Sequence, residues 1–170
     1  DRYIIAVDEF DNEIGSIEKM EAHRKGTLHR AFSILVFNSK NQLLLQKRNV
    51  KKYHSPGLWT NTCCSHPRYG ESLHDAIYRR LKEEMGFTCE LEEVFSFIYK
   101  VKLEDNLFEN EYDHVFIGKY DGEIIVNKDE VDDFKWVDIN EVKKDIIERP
   151  EAYTYWFKYL VNKAENKIFK

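Results

Sequence analysis

Long apolar runs, disulfide-forming cysteines and excess positive charge are all scarce in this chain of 170 residues. No apolar run reaches roughly 18 residues, the length that indicates a transmembrane helix, and the acidic start of the chain is unlike a signal peptide. Three cysteines, two of them adjacent, make a poor disulfide framework and favour a reducing compartment. We therefore expect a cytoplasmic protein without a membrane partner.

The balance of charge narrows the choice of partners. The chain carries 26 Lys and Arg against 31 Asp and Glu, a formal net charge of −5. Bulk electrostatics gives no reason to expect nucleic acid or an acidic membrane surface as a partner, so a phosphate-bearing ligand would need a local basic cluster. The length favours one domain over residues 1–170, with enough hydrophobic residues for a sizeable core. We expect a monomer or a weak homodimer.

Hydrophobic patterning predicts several strands and a few helices. The predicted strands cover residues 3–7, 30–37, 42–46, 91–103, 107–120, 123–126 and 134–137. Two turns are expected to form hairpins, one at 38–41 and one at Asp121-Gly122, a pair typical of type I′ turns. A short helix is predicted to begin within 16–22, and longer helices cover about 73–85, 140–148 and 151–169. This mixture implies an α/β (α+β) layered domain with a mixed sheet between helices.

One stretch, residues 59–87, combines a loop of reactive side chains with a charged helix. Ser72 is placed to cap that helix and Gly86 to end it. The helix carries a possible ion pair between Arg80 and Glu84, four residues apart, which on a solvated face contributes only a few tenths of a kcal/mol. In the preceding loop, Cys64 and His66 form a Cys-x-His pair, which fits either half of a zinc site or a reactive thiol.

Two carboxylates and a basic loop are the other candidates for chemistry. Glu109 and Glu111 lie two apart in a predicted strand and therefore share a face, where a cation between them would relieve their repulsion. The ordinary interpretation is an exposed strand face, and the basic loop at 46–57 could equally be a solvated loop. Each of the six histidines, taken alone, is more often a satisfied core or surface residue than a ligand, and His54, His74 and His114 keep that interpretation.

Six motifs in order resemble the type I isopentenyl diphosphate isomerases, a branch of the Nudix fold: TLHRAFS, GLWTNTCCSHP, GES, RRLKEEMG, ENE and the late Trp156. The resemblance runs from about residue 3 to residue 169 and implies a Nudix-type domain. Glu71, Arg79, Glu83 and Glu84 fit the Nudix box, whereas Ser65 replaces its opening glycine. Arg80 replaces a glutamate of the hydrolysing members, which puts diphosphate hydrolysis in doubt.

The resemblance implies an enzyme of isoprenoid biosynthesis that interconverts isopentenyl and dimethylallyl diphosphate. It implies catalytic roles for Cys64, Glu111 and Tyr99, and diphosphate or substrate binding by Lys19, Arg48, Lys52, Arg80 and Trp156. It implies a divalent metal, Mn²⁺ or Zn²⁺, bound by His23, His29, His66, Glu109 and Glu111, and a Mg²⁺ that Glu84 shares with the diphosphate. Cys63 corresponds to a variable position.

Two rival interpretations stay open at the level of sequence. The first is a Nudix hydrolase acting on a nucleoside or prenyl diphosphate, which Glu83 and Glu84 favour and Arg80 disfavours. The second is a non-catalytic domain with a structural zinc, in which the basic loop and Tyr99 would have no task.

Overall fold

The computed structural model of the protein describes residues 2–164. Its central strand is β3 (His29–Phe37). It pairs in parallel with β8 along its whole length, antiparallel with the short strand β6, and at single positions with β1 and β4. The remaining strands are β1 (Tyr3–Val7), β2 (Glu13–Glu18), β4 (Gln42–Arg48), β5 (Trp59–Thr60), β6 (Cys63–Ser65), β7 (Leu91–Lys102), β8 (Phe108–Lys119) and β9 (Val131–Asp138). The helices are α1 (Lys19–Lys25), α2 (Leu73–Met85), α3 (Ile139–Glu148) and α4 (Tyr155–Ala164).

The sheet has a core on each face because side chains alternate along its strands. From β3, Phe32, Ile34 and Val36 pack with buried residues of α2. Leu35 and Phe37 point the other way, toward α3 and α4. The α/β layered arrangement of a mixed sheet between helices is therefore confirmed. Among the described residues, no helix is long and apolar enough to cross a membrane.

A polar wedge separates β3 from β4. The two strands pair only at Phe37 and Leu43, so the predicted turn at 38–41 forms but the expected hairpin ladder does not. Thr62 stands between them: its hydroxyl accepts from the Val36 N–H and donates to the Leu44 carbonyl. The neighbouring Asn61 side chain donates to the backbone of both β3 and β6. These buried polar side chains satisfy the backbone groups that a continuous ladder would have paired.

The first helix begins later than the sequence predicted. Residues 16–18 belong to β2, because Ile17 pairs with Ile4 of β1. Glu18 then caps α1 through its side chain, which accepts from the Glu21 N–H, so the helix starts at Lys19.

The last helix also starts later than expected. The Thr154 N–H donates to the Trp59 carbonyl, which holds residues 153–154 against β5, and the Thr154 hydroxyl accepts from the Phe157 N–H at the start of α4. Residues 150–152 form a short 3₁₀ turn instead of α-helix. The predicted continuation from 165 to 169 lies outside the described residues.

The predicted hairpin at Asp121-Gly122 is wrong. Both edges of β8 are already occupied, by β3 on one side and β7 on the other, so residues 123–126 have no edge to return to. Their backbone turns instead to the end of α2, where the Ile125 N–H donates to the Met85 carbonyl. The Asp-Gly dipeptide predicts a tight turn from local sequence alone. It carries no information on whether the preceding strand lies at the edge or in the centre of the sheet.

The end of α2 gives a test of this packing. Gly86 has φ +76°, and a methyl group there would lie 2.2 Å from the Ile125 carbonyl oxygen. Gly70 also has a positive φ, +85°, but a methyl group there would meet nothing within 4 Å. We therefore expect Gly86→Ala to lower the free energy of unfolding by more than about 2 kcal/mol, and Gly70→Ala by only about 1 kcal/mol, the backbone strain alone. Urea unfolding of both variants measures the difference, and equal losses would contradict the close approach.

Candidate active site and metal centre

One open cavity collects most of the sequence-predicted residues. It lies where β3 and β4 separate, and α1, α2, α4 and the loop after β4 complete its wall. The predicted residues that line it are Lys19, Arg48, Lys52, Cys64, His66, Arg80, Glu84, Glu109, Glu111 and Trp156. The cavity therefore brings together most of the predicted metal, catalytic and diphosphate residues, whereas His23, His29 and Tyr99 are buried and do not line it.

Three adjacent strands align His29, Glu111 and Tyr99 in one row. His29 of β3 pairs with Glu111 of β8, and Glu111 pairs with Tyr99 of β7. Glu109 and Glu111 share a face of β8, as their spacing predicted, but the face is buried and not exposed. The Tyr99 hydroxyl is buried and has no hydrogen-bond partner among the described residues.

Backbone carbonyls aim two histidines into the site. The Nδ1 atoms of His23 and His29 lie 2.8 Å from the carbonyl oxygens of Lys19 and Thr27, a geometry in which Nδ1–H donates and Nε2 keeps its lone pair. The two Nε2 atoms face carboxylates, His23 at 3.6 Å from Glu109 and His29 at 3.7 Å from Glu111. Metal-binding histidines are commonly held in this way by their second nitrogen.

The cluster carries polar atoms that the protein itself leaves unmatched. His29 Nε2 and Glu109 Oε2 are buried and lack a hydrogen-bond partner within residues 2–164. The donor atoms of His23, His29 and His66 lie within 4.8 Å of one another, as do those of His29, Glu109 and Glu111. A divalent cation at this point would satisfy these atoms, so the residues present fit a metal ion.

Burial favours the neutral form of two imidazoles, those of His23 and His66, and the two carboxylates have pKa values shifted in opposite directions. Burial lowers the pKa of His23, and that of His66 to about 3, and a neutral imidazole is the form that binds metals. Burial, with the charge of Glu111, raises the pKa of Glu109 well above its usual value. Burial acts on Glu111 as well, but the adjacent imidazoles of His66, at hydrogen-bond distance, and His29 hold the pKa of Glu111 well below the usual value.

The adjacent cysteines point to opposite faces of the sheet. Cys63 packs into the core under α2, with no exposed surface. Cys64 pairs with Ser33 of β3 and faces the cavity, where the Trp156 indole N–H lies 3.1 Å from its sulfur. Burial raises the pKa of the Cys64 thiol to about 12, although the Arg48 charge and the Trp156 N–H oppose this rise. Strand alternation thus selects Cys64 as the thiol of the cavity.

A second group of residues in the cavity is cationic: Lys19, Arg48, Lys52 and Arg80. Burial lowers the pKa of Lys19, and the charges of Lys52 and Arg80 lower it further. Glu130 pairs with two of these cations through one oxygen, 3.1 Å from Lys52 Nζ and 2.8 Å from Arg80 Nη2. Arg80 also contacts Glu84, whose second oxygen accepts from Gln46. Buried cations that repel one another provide a place for a polyanion.

Two residues that line this cavity, one histidine and one glutamate, were not predicted from the sequence. His54 was assigned an ordinary role, yet its Nε2 lies 3.2 Å from Glu109 Oε1. Glu130 was overlooked because an acidic residue in the stretch NKDEVDD resembles any solvated loop. The other two histidines set aside do lie outside the site: His74 is exposed on α2, and His114 binds Glu93 and Asp11 on the far face of β8.

Trp156 and Arg48 form a further contact at the cavity. The Arg48 guanidinium lies 5.0 Å from the centre of the Trp156 ring and donates to the carbonyls of His54 and Ser55. The face of the Trp156 ring is therefore in cation–π contact with the Arg48 guanidinium.

Comparison with known proteins gives a consistent family. A family profile described as the NUDIX domain matches residues 27–157. Isopentenyl-diphosphate Delta-isomerase 2 of Photorhabdus laumondii is 57% identical over 162 residues, which cover 95% of this chain and 92% of that protein. Isopentenyl-diphosphate Delta-isomerase 2 of Aromatoleum aromaticum is 55% identical, over 90% of this chain and 81% of that protein.

Solved structures agree on the fold. A Deinococcus radiodurans protein superposes with a TM-score of 0.80 at 20% identity, covering 95% of this chain and 98% of that one. The MutT protein from Methanosarcina mazei gives a TM-score of 0.69 at 17% identity, covering 84% and 96%. At these identities the structures establish the shared fold, and the sequence relatives establish the branch. The chain belongs to the isopentenyl-diphosphate Delta-isomerase branch of the Nudix family.

Proposed function

We propose that the protein interconverts isopentenyl diphosphate and dimethylallyl diphosphate by adding a proton to the alkene and removing one from a neighbouring carbon. The observation that carries this proposal is the placement of two proton-transfer groups on strands flanking β3. Cys64 of β6 and Glu111 of β8 line one cavity that also contains a cluster of cations. The close relatives carry the isomerase name, which supports the same reaction here.

Each group has a chemical task in this proposal. Protonation of an unactivated alkene produces a tertiary carbocation, which then loses a proton from the adjacent carbon. We assign Glu111, assisted by Tyr99, to proton addition and Cys64 to proton removal, and the reverse reaction exchanges these roles. The surroundings of the two groups favour an ionised Glu111 and a protonated Cys64, so this direction requires a proton to pass to Glu111 when metal and substrate bind. Trp156 covers the reacting carbon with its ring, which stabilises positive charge by about 2 kcal/mol when water is excluded.

The diphosphate is assigned to the cationic end of the cavity. Lys19, Arg48, Lys52 and Arg80 supply the positive charge. Glu84 is assigned to a Mg²⁺ shared with the diphosphate, since Mg²⁺ is usually bound by one or two carboxylates plus substrate phosphates. Arg80 replaces a carboxylate of the hydrolysing Nudix members, which favours holding the diphosphate over cleaving it.

The second metal is assigned to His23, His29, His66, Glu109 and Glu111. A mixed set of imidazoles and carboxylates suits Zn²⁺ or Mn²⁺. When bound, such an ion supplies positive charge that allows both buried carboxylates to sit side by side. The sequence also predicts a prenyl diphosphate substrate, a monomeric or weakly dimeric state, a cytoplasmic location and the lack of a nucleic-acid partner.

The isomerase assignment is tested by NMR of the protein with isopentenyl diphosphate and Mg²⁺ in D₂O. We expect dimethylallyl diphosphate with deuterium in a methyl group and with the diphosphate intact. Release of phosphate or diphosphate would instead identify a hydrolase. No reaction in metal-loaded, fully reduced protein would refute the proposed activity.

Variants of the proton-transfer groups test the assignment of residues. We expect Cys64→Ala and Glu111→Gln each to lower turnover by about 100- to 10,000-fold, the range of a general acid or base. Cys63→Ala is the matched control, because its thiol faces the core under α2 and its turnover should stay within a few-fold. Circular dichroism checks that all three variants fold. Loss of activity in Cys63→Ala alone would show that Cys63, and not Cys64, is the catalytic thiol.

The metal centre is tested by thermal unfolding after chelation. We expect the chelated protein to remain folded, and Zn²⁺ or Mn²⁺ at 100 times the dissociation constant to stabilise it by about 2.7 kcal/mol. For a chain of this length that corresponds to a rise in Tm of roughly 5–10 °C. His29→Gln should abolish the rise, whereas His74→Gln on the exposed face of α2 should retain it. An unchanged response in His29→Gln would contradict the ligand set.

The Glu130 ion pairs predict a dependence of stability on pH. Burial alone would raise the pKa of this carboxyl, but Arg80 and Lys52 hold it at about 2, below the ordinary value of 4.5. The stabilisation is therefore fully present above about pH 4.5 and disappears as the pH falls toward about 2. We expect Glu130→Gln to lower the free energy of unfolding by about 2 kcal/mol at pH 7, with the loss shrinking below pH 4.5. Urea unfolding from pH 7 to pH 3 measures it, with the exposed Glu92→Gln as control, and a loss independent of pH would contradict the ion pairs.

A further inference from the structure

Glu130 places a carboxylate among the cations assigned to the diphosphate. It lines the same cavity as Lys52 and Arg80. One of its oxygens, Oε1, lies 3.1 Å from Lys52 Nζ and 2.8 Å from Arg80 Nη2. The side chain of Glu130 is only 25% exposed and that of Arg80 only 11%, so water screens these charges incompletely. A fixed negative charge therefore borders the site in which a polyanion is expected.

Backbone hydrogen bonds hold the turn that carries Glu130. The Glu130 N–H donates to the Asn127 carbonyl, and the Glu130 carbonyl accepts from the Asn49 N–H in the loop after β4. The Asn127 N–H in turn donates to the Glu84 carbonyl near the end of α2. These bonds connect the turn to the two elements that supply the cationic partners of Glu130. We therefore expect the carboxylate to stay beside both cations when a ligand binds.

The Glu130 charge matters because acidic and basic groups nearly balance in the cavity. Five basic side chains and four carboxyl groups line it. Arg80 shows the balance most clearly: besides Glu130 it contacts Glu84, and its Nη1 lies 2.8 Å from Glu83 Oε1. Three carboxylates thus surround one guanidinium. The protein itself neutralises much of the positive charge that would attract a polyanion.

The charge on the ligand decides how strongly this carboxylate opposes binding. A prenyl diphosphate carries about three negative charges near neutral pH, and a bound Mg²⁺ cancels two of them. Repulsion from a fixed carboxylate grows in proportion to the charge on the ligand. The Glu130 charge therefore opposes the metal-free diphosphate roughly three times as strongly as it opposes the Mg²⁺ complex.

We propose that Glu130 is a specificity-determining residue, through which the site accepts a diphosphate as its Mg²⁺ complex and discriminates against the metal-free polyanion. The inference rests on the diphosphate site assigned under the proposed function. Glu130 also holds Lys52 and Arg80 in place, but that task supports both forms of the ligand alike. A purely structural role would change both affinities together, whereas the charge of Glu130 changes their ratio.

The test is calorimetric titration of the full chain with inorganic diphosphate, with and without Mg²⁺. The quantity compared is the Kd without Mg²⁺ divided by the Kd with Mg²⁺. We expect Glu130→Gln to lower this ratio at least about fivefold relative to wild type, because the metal-free ligand gains more from loss of the charge. Glu130→Asp keeps the charge and should keep the ratio, even if both affinities fall. Asp129→Asn is the matched control, since it removes a charge from an exposed side chain of the same turn and should leave the ratio unchanged.

The outcomes separate the inference from the site on which it rests. If wild-type protein binds diphosphate in neither condition, the diphosphate site of the proposed function is refuted, and the role of Glu130 with it. If wild type prefers the Mg²⁺ complex and Glu130→Gln keeps the same ratio, only the selectivity role is refuted. Equal affinity of wild type for both forms would also overturn it. A ratio that falls as far in Glu130→Asp as in Glu130→Gln would make side-chain geometry, and not charge, responsible, and the proposal would likewise be wrong.

Discussion

Repulsion between two buried carboxylates is the constraint around which the site is arranged. Glu109 and Glu111 share a face of β8 and are shielded from water, which would otherwise weaken their mutual repulsion. The protein relieves this repulsion unequally, since the neighbouring imidazoles of His66 and His29 favour a charged Glu111 while Glu109 is pushed toward its protonated form. A cation would allow both to be charged, and the surrounding imidazoles are oriented to receive one.

The polar wedge at Asn61 and Thr62 gives the site its room. A sheet with β3 and β4 fully paired would close the gap in which the cavity lies. The wedge also sets the register of β6 against β3, and this register decides which cysteine faces the cavity. Buried side-chain hydrogen bonds thus connect the strands here, as a continuous ladder of backbone hydrogen bonds does in an ordinary sheet.

The sequence predicted well wherever a local signal coincided with the global fold. Helix α2 begins after Ser72 and ends at Gly86 as expected, because caps act through neighbouring backbone groups. Family resemblance was confirmed by the relatives, and the cavity contains most of the residues it implied. Prediction failed where a distant strand or loop decided the outcome. The turn at Asp121-Gly122 has no open strand edge beside it, and His54 is brought to Glu109 by a loop whose path local patterns do not determine.

Strand alternation at Cys63 and Cys64 has a consequence for oxidation chemistry. Disulfides require Cα atoms about 4.4–6.8 Å apart and side chains that point toward each other, whereas adjacent residues are about 3.8 Å apart and here face opposite sides of the sheet. Cys63 therefore cannot act as a resolving thiol for its neighbour. An oxidant that converts Cys64 to a sulfenic acid therefore leaves it without a resolving thiol in the adjacent residue, so recovery calls for a thiol from elsewhere and continued exposure leads toward irreversible oxidation.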